Sequence, residues 1–522
     1  MSKQDSIRLS QVEVIKEFEV TLEEARKIAV NPEFIATERL NYPYSYQINA
    51  SPVLMKYPAP EIRPLAMDTE PPFIVNRGYL SVGYGNLRNP SLAASYHFDR
   101  KELYNLLLGV NYDALNNEAA QPFQRYADLN IHASGNYLVQ ENMKAYGKIN
   151  LGNQQRYFFQ THLPVDSLYT KEESLRNIRN LSLEAGVFNP ERASDKMNYN
   201  IGMKVESAHF TDQNITSSSL ELNFGLQKQR TAASQFGIDG KTGVRSLSNT
   251  PEGSLRYMHL IPYLGFHFNK WRLKLGGNFF FDQNTTSPWP ELDLLASISG
   301  HQLQLFAGTT QSWISNDPVN QYRENPFLNV RLDSLTNNVY RDIYGGVKGE
   351  LGFISYQAKA GFKWSKNQAF FLNDSTDYRK FIQLHDDMTI VYISGNIDFA
   401  VSQKLHVGGW LTQNFYNPKN LEKAWHMPNF NANAYATYST LNNKFSIRSE
   451  LFLMDQVNFI NLERIRETSN LRFDLNAVVT FRPVKNVGIY FRGINLLNNK
   501  YERWYGYPNV GVHFNAGVQV VF

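Results

Sequence analysis

The chain has no cysteine. This excludes disulfides, thiolate metal sites and cysteine nucleophiles, and with them the small stapled folds. No apolar run approaches the roughly 18 residues that a membrane helix needs, and the mean hydropathy is negative, which excludes a bundle of membrane helices. Charged residues are only 19% of the 522, and 52 Lys and Arg stand against 48 Asp and Glu. The basic residues are dispersed, so no stripe for nucleic acid is present. Gly at 32 and Pro at 22 are ordinary, which excludes collagen-like and low-complexity chains. Neither G-x-S-x-G nor H-E-x-x-H occurs, and Gly83–Tyr84–Gly85 lacks the helix and third glycine of a nucleotide loop. What the chain does have is aromatics, at 14%, with Tyr 30 and Phe 34. A polar average, many aromatics and no helical span suit a transmembrane β-barrel, where only alternate residues meet lipid.

The order of residues divides the chain in two. Residues 1–76 read as an N-terminal periplasmic arm. Thr21–Leu22–Glu23–Glu24 forms a capping box for one short helix that stops at Asn31–Pro32, and residues 52–73 carry six prolines. Residues 77–522 read as an all-β transmembrane antiparallel β-barrel. There the hydrophobic period becomes two. Leu129, Ile131, Ala133 and Tyr137 alternate with Asp128, Asn130, His132 and Ser134. The same pattern recurs at 196–206, 354–364 and 471–481. About ten residues of it cross an apolar band ~25 Å tall. Tight turns (such as Asn269–Lys270, Gly300–His301 and Gly352–Phe353) alternate with longer polar connections at 153–178, 314–338, 366–386, 416–427 and 456–469. Short turns on one side and long loops on the other are the outer-membrane arrangement. About 21 strands can be placed directly. An even number is required, so 22 are expected, one of them concealed in 228–257, with 20 as the alternative. A soluble sandwich or propeller would bury one face of each strand and would not sort its connections by length.

The most specific stretch is Val487–Tyr501, VGIYFRGINLLNNKY, followed by Trp504, Tyr505, Tyr507–Pro508 and a closing strand that ends in Phe522. It resembles the last two strands of TonB-dependent outer-membrane receptors, in which G-x-N-L-L-(N/D)-x-x-Y precedes a Gly/Pro loop. Gly493, Asn495, Leu496, Leu497 and Tyr501 carry the match. Phe514, Val518, Val520 and Phe522 fall on one lipid-facing row, and the resemblance implies that this row is the signal read by barrel-assembly machinery. Those receptors carry a plug of well over a hundred residues before the barrel, whereas about 75 precede it here. The resemblance is therefore to the barrel part without the plug, of a type met in the Bacteroidetes. It implies an outer-membrane location, with a signal peptide outside the given chain.

By parity the lumen wall carries Lys204, Glu206, Arg272, Lys274, Asp342, Lys348, Glu350, Lys359, Asp398, Arg448, Glu450, Arg472, Asp474 and Arg492. Mixed signs build salt-bridge ladders in preference to a selectivity field. So wide a barrel needs something to narrow it: the arm, inward loops, side-chain networks or another protein. His385–Asp386–Asp387 is the densest His/carboxylate cluster, but adjacent residues on an extended chain diverge, and a solvated loop is expected there. Trp271, Trp289, Trp364 and Trp410 suit interfacial girdles, and loop residues Trp313, Trp425 and Trp504 could stack on carbohydrate. Val12–Val20 alternates and could add as a strand to a partner, or dock the arm on its own barrel. No cofactor, metal or catalytic site is expected. The expected partners are the outer-membrane bilayer, the assembly machinery and other outer-membrane or periplasmic proteins. Three roles fit: a non-enzymatic subunit of an outer-membrane complex for protein or nutrient handling, a TonB-linked uptake receptor with a reduced or trans-supplied plug, and a passive porin.

Overall fold

The structure is a computed structural model that describes residues 77–522, except 101–102, 164–169, 190–196, 249–253, 331–334 and 441–443. The arm, with its expected helix, lies outside the described residues.

Twenty-two strands form one antiparallel sheet that closes on itself. Each pairs with its sequence neighbours, and the first, Gly78–Gly85, pairs with the last, His513–Val521, from Tyr79↔Val521 to Gly85↔Asn515. Gly78 and Phe522 exchange both backbone hydrogen bonds, at 2.7 and 3.0 Å. Hydrocarbon offers backbone groups no partners, so only such a ring leaves none open. The strand concealed in 228–257 is Ser234–Leu247, paired on both sides.

The period-two pattern sorts side chains as expected for this ring. On the first strand Leu80, Val82 and Tyr84 are exposed outward, while Tyr79, Ser81 and Gly83 face the lumen. Aromatics mark both rims of the outer band. Phe268, Trp271, Phe353, Phe481 and Phe522 lie beside the short turns, and Tyr84, Trp364, Phe415 and Phe473 lie toward the other end. This is the girdle arrangement of an outer-membrane barrel, with the short turns periplasmic and the long connections outside. Trp289 lies on the inner row, opposite Asn278 and in the same row as Glu291, and not in the girdle; Trp410 also departs from its expected place. It lies opposite Asn433 and Asn396, in alternation with the exposed Leu411, so it faces the lumen.

The wall is not uniform above the membrane. Pairing between Thr286–Ser299 and Leu303–Ser315 stops at Leu292↔Thr309, while Leu303–Ser315 stays paired with Asn337–Leu351 up to Ser315↔Asn337. Above that point Gln311 and Trp313, on the outer row, pack against Asn278 and Phe280, on the inner row of Trp271–Asp282. The top of this hairpin therefore folds inward over the lumen. Segment 366–386, expected as a loop, is a continuation of the hairpin Ile354–Asn373/Phe381–Ala400, paired from Gln368↔Asp386 to Asn373↔Phe381.

The closing seam depends on two glycines. A Cβ on Gly517 would stand 2.2 Å from the Val82 carbonyl oxygen, and one on Gly83 would stand 2.0 Å from the Tyr490 hydroxyl. The buried Tyr490 ring covers this gap, and its hydroxyl donates to Asn515 Oδ1 at 3.0 Å. Gly517→Val is expected to destabilise the barrel by about 3 kcal/mol or to prevent closure. Loss of the heat-dependent gel shift of the folded barrel is the readout.

Candidate functional site

The lumen wall carries an ordered charge ladder. Lys148, Glu184, Lys204 and Glu221 occupy consecutively paired positions on four adjacent strands, so the row alternates in sign at about 4.8 Å intervals. Lys148 meets Glu184 at 3.2 Å, Lys241 meets Glu221 at 3.3 Å, and Lys204 meets Glu206 at 3.1 Å. Further round the ring, Lys274 lies 3.7 Å from Glu291, Lys359 3.2 Å from Asp342, Arg448 2.6 Å from Glu450 and Arg472 3.2 Å from Asp474. The Arg492 guanidinium stands 5.8 Å from the Tyr490 ring centre. Arg272 lies opposite His267 and Leu295, Lys348 opposite Gln304 and Gln357, and Glu350 opposite Ser355. The signs largely cancel, so the wall is close to neutral. Each exposed pair contributes about 0–1 kcal/mol.

The motif residues organise a turn. Asn495 (φ 49°) is buried; its Nδ2 donates to the carbonyls of Asn499 and Val510 at 3.0 and 3.1 Å, and its Oδ1 accepts from Asn499 N–H at 3.0 Å. The Leu496 side chain closes over Gly493, and Leu497 is exposed. Arg472 stands over the Tyr501 ring at 5.1 Å. Val518 and Phe522 are exposed outward, Val520 lies opposite Leu80, and Phe514 stacks with Phe491 at 5.5 Å.

Above the membrane the long connections meet across the mouth. Gln160 follows the fifth strand of the ring, and Tyr378 lies in the turn after the fifteenth, nearly opposite. Gln160 Nε2 donates to the carbonyls of Tyr505 at 3.0 Å and Tyr378 at 3.4 Å. It is packed directly on Gly506 (φ 81°), where a Cβ would collide with its amide, so only glycine fits. Phe159, Leu328, Phe371, Phe381, Trp504 and Tyr507 form a buried core in this cap. Tyr507 stacks on Phe327 at 3.4 Å and meets Phe159 edge-on at 4.9 Å. Trp425 and Trp504 are buried, and Trp313 lies against Tyr257 at 4.3 Å, so none of the three has a free face for carbohydrate. Asp386 is not a solvated loop residue. It accepts from the N–H groups of Asn420 and Leu421, both at 2.8 Å, and ties that connection down. Among the described residues no group of three or more His, Asp or Glu could hold a metal ion.

One strap crosses from the inward-folded hairpin to the far wall. Asp317 caps the short helix Pro318–Glu324, accepting from Val319 N–H at 2.9 Å and Asn320 N–H at 3.2 Å, with Pro318 at the first position. The strap is held by ions on three separate elements: Asp317 on Arg245, Arg323 on Glu206 at 3.2 Å, and Glu324 on Arg503. Burial lifts the Glu324 carboxyl above its usual range, and the Arg503 guanidinium opposes that lift. Beyond the helix, the fully buried Arg176 holds Asp212 at 2.7 Å and donates to the carbonyls of Pro326 and Leu328. Tyr322 and Val330 pack into a second core with Ile178, Ala208 and Phe210. Of the residues named here, Glu206 alone was singled out from the sequence, as part of the lumen wall. Asn316–Asp317–Pro318 was the available helix-start signal.

A closed 22-strand barrel with an apolar outer band, aromatic rims and long extracellular connections is an outer-membrane protein. Its fold is that of the barrels of TonB-dependent receptors. The FrpB iron transporter of Neisseria meningitidis superposes with a TM-score of 0.66 at 10% identity, over 86% of this chain and 82% of that one. A variant of the ferric enterobactin receptor PfeA from Pseudomonas aeruginosa gives 0.64 at 12%, over 86% and 80%. The copper transporter OprC gives 0.62 at 12%, over 86% and 81%. No protein-family model and no curated protein matches the sequence.

Two measurements probe the cap. Arg176→Met would leave the Asp212 carboxylate buried without its counter-ion, a loss of about 3–5 kcal/mol. Faster hydrogen exchange across Asn325–Val330 is expected. His426 lies in the core, its Nδ1–H donating to the Phe371 carbonyl at 2.9 Å, and burial lowers its pKa from 6.5 to about 4. Above pH ~6.5 the ring is neutral whether the cap is folded or not. Below that an unfolded cap takes up a proton that the folded cap refuses until about pH 4. Cap stability is therefore expected to fall as pH drops through this window, by roughly 1.4 kcal/mol per unit. Proteolysis of the 419–429 connection should report the fall, and His426→Asn should flatten it.

Proposed function

We propose that the protein is a gated, non-enzymatic barrel that serves as a subunit of a larger outer-membrane complex handling proteins or nutrients. The observation that carries this reading is the mouth, bridged by connections that reach one another from opposite sides of the ring. A passive porin needs an open passage, and the interlocked cap argues against one. The seam between strap and wall leaves buried polar atoms without partners among the described residues: Tyr322 OH, Asn325 Nδ2, Asp212 Oδ1 and Arg245 Nε. Each such atom costs about 1–3 kcal/mol, which weakens this seam. A partner, or a ligand that repairs these contacts, would shift the strap at the least cost. Neighbours of the same fold are transporters and receptors, which supports a non-catalytic role.

Fold likeness to an iron transporter and a copper transporter favours a second reading, a TonB-linked solute receptor with a reduced plug or one supplied by another protein. Mild extraction from outer membranes with mass spectrometry separates the two. Stoichiometric co-purifying proteins are expected for a complex subunit, and a lone barrel would favour the receptor. In planar bilayers the wild type is expected to be silent. Asp317→Asn with Glu324→Gln, which keeps the helix cap but removes two of the three ionic anchors, is expected to flicker open. Steady large conductance from the wild type would sink the gating reading.

A further inference from the structure

The lipid-facing wall carries a cleft that the gate does not use. It lies on the outer side of four adjacent strands, Ile215–Thr231, Ser234–Leu247, Ser254–Phe268 and Trp271–Asp282. Its volume of about 500 Å³ falls within the roughly 300–1,000 Å³ of ligand clefts. Leu220, Leu222, Val244, Met258 and Phe281 make its apolar lining. Beside Val244 the same strand contributes Thr242 and the backbone of Gly243, and Asp282, whose carboxylate accepts from Asn337 Nδ2 and Asn284 N–H, both at 2.9 Å, completes the lining with Tyr257 and Gln283. Arg256 stands at the rim, exposed and on the same outward row as Met258 and Leu264, and no carboxylate pairs with it among the described residues.

Depth assigns the rim to the outer headgroups. The outward row from Met258 to Phe268 runs ten residues and ends at a periplasmic turn. At about 3.4 Å per residue and a tilt near 45° it covers about 24 Å, the whole apolar band. Arg256 comes one outward position above it. A cation at headgroup height over an apolar cleft matches an amphiphile with an acyl chain and an anion, and a guanidinium fork matches phosphate oxygens. We propose that this cleft binds a phosphorylated lipid of the outer leaflet, one acyl chain along Leu222, Val244 and Met258 and a phosphate on Arg256.

The full chain, extracted in detergent and stripped of lipid by exchange, is incubated with diphosphoryl lipid A, and native mass spectrometry counts retained lipid. The wild type is expected to keep one lipid A under activation that removes phosphatidylcholine, whose headgroup is net neutral. Arg256→Gln is expected to lower retention about tenfold. Leu222→Trp, which fills the cleft and leaves the cation, is expected to do the same, with the heat-dependent gel shift verifying that both variants fold. Equal retention by the wild type and both variants, or of phosphatidylcholine and lipid A, overturns the proposal.

Discussion

Hydrocarbon leaves no backbone N–H or C=O unpaired, and the rest of this structure follows from that constraint. An open sheet edge cannot persist there, so the first strand must find the last, and Gly78–Gly85 does pair with His513–Val521. An antiparallel ring that closes first on last has an even number of strands and both strand ends at one rim. The same requirement brings Gly83 and Gly517 under Tyr490, because side chains at those points would hold the two backbones apart.

Closure solves the backbone problem and creates a hole. The wall's near-neutral ladder does nothing to fill it. The extracellular connections do, and they do so as a small water-soluble protein would. They bury aromatics in a common core, cap a short helix with Asp317, and neutralise Arg176 with Asp212. The molecule is thus held by two kinds of force, a backbone ladder within the membrane and side-chain packing above it. The second responds to pH through His426, and to the loss of single side chains such as Arg176.

The part ruled by the ladder was the part legible in the sequence. Alternation at 126–138, 196–206, 354–364 and 471–481 comes directly from one face in lipid and one in water, and all four stretches are strands. The cap was illegible for the converse reason. In 366–386 the strands rise above the membrane, where Ala369, Phe370 and Phe371 are buried in succession, so the alternation that marks a strand disappears. Trp425 and Trp504 were read as exposed because nothing local reveals that His426 and Phe381 lie beside Trp504. Trp410 was misplaced because its residue type was weighed above its parity, which puts it with Asn433 and Asn396 in the lumen.

The cap's contacts also tie the mouth to the closing hairpin of the ring. The loop carrying Trp504, Tyr505 and Tyr507 joins the last two strands of the ring, yet it is the piece against which Gln160, Phe159 and Phe381 are packed. A molecule without that final hairpin would therefore lack both the strand that closes the ring and the hub on which the earlier connections meet, so the seam in the membrane and the cap above it stand or fall together.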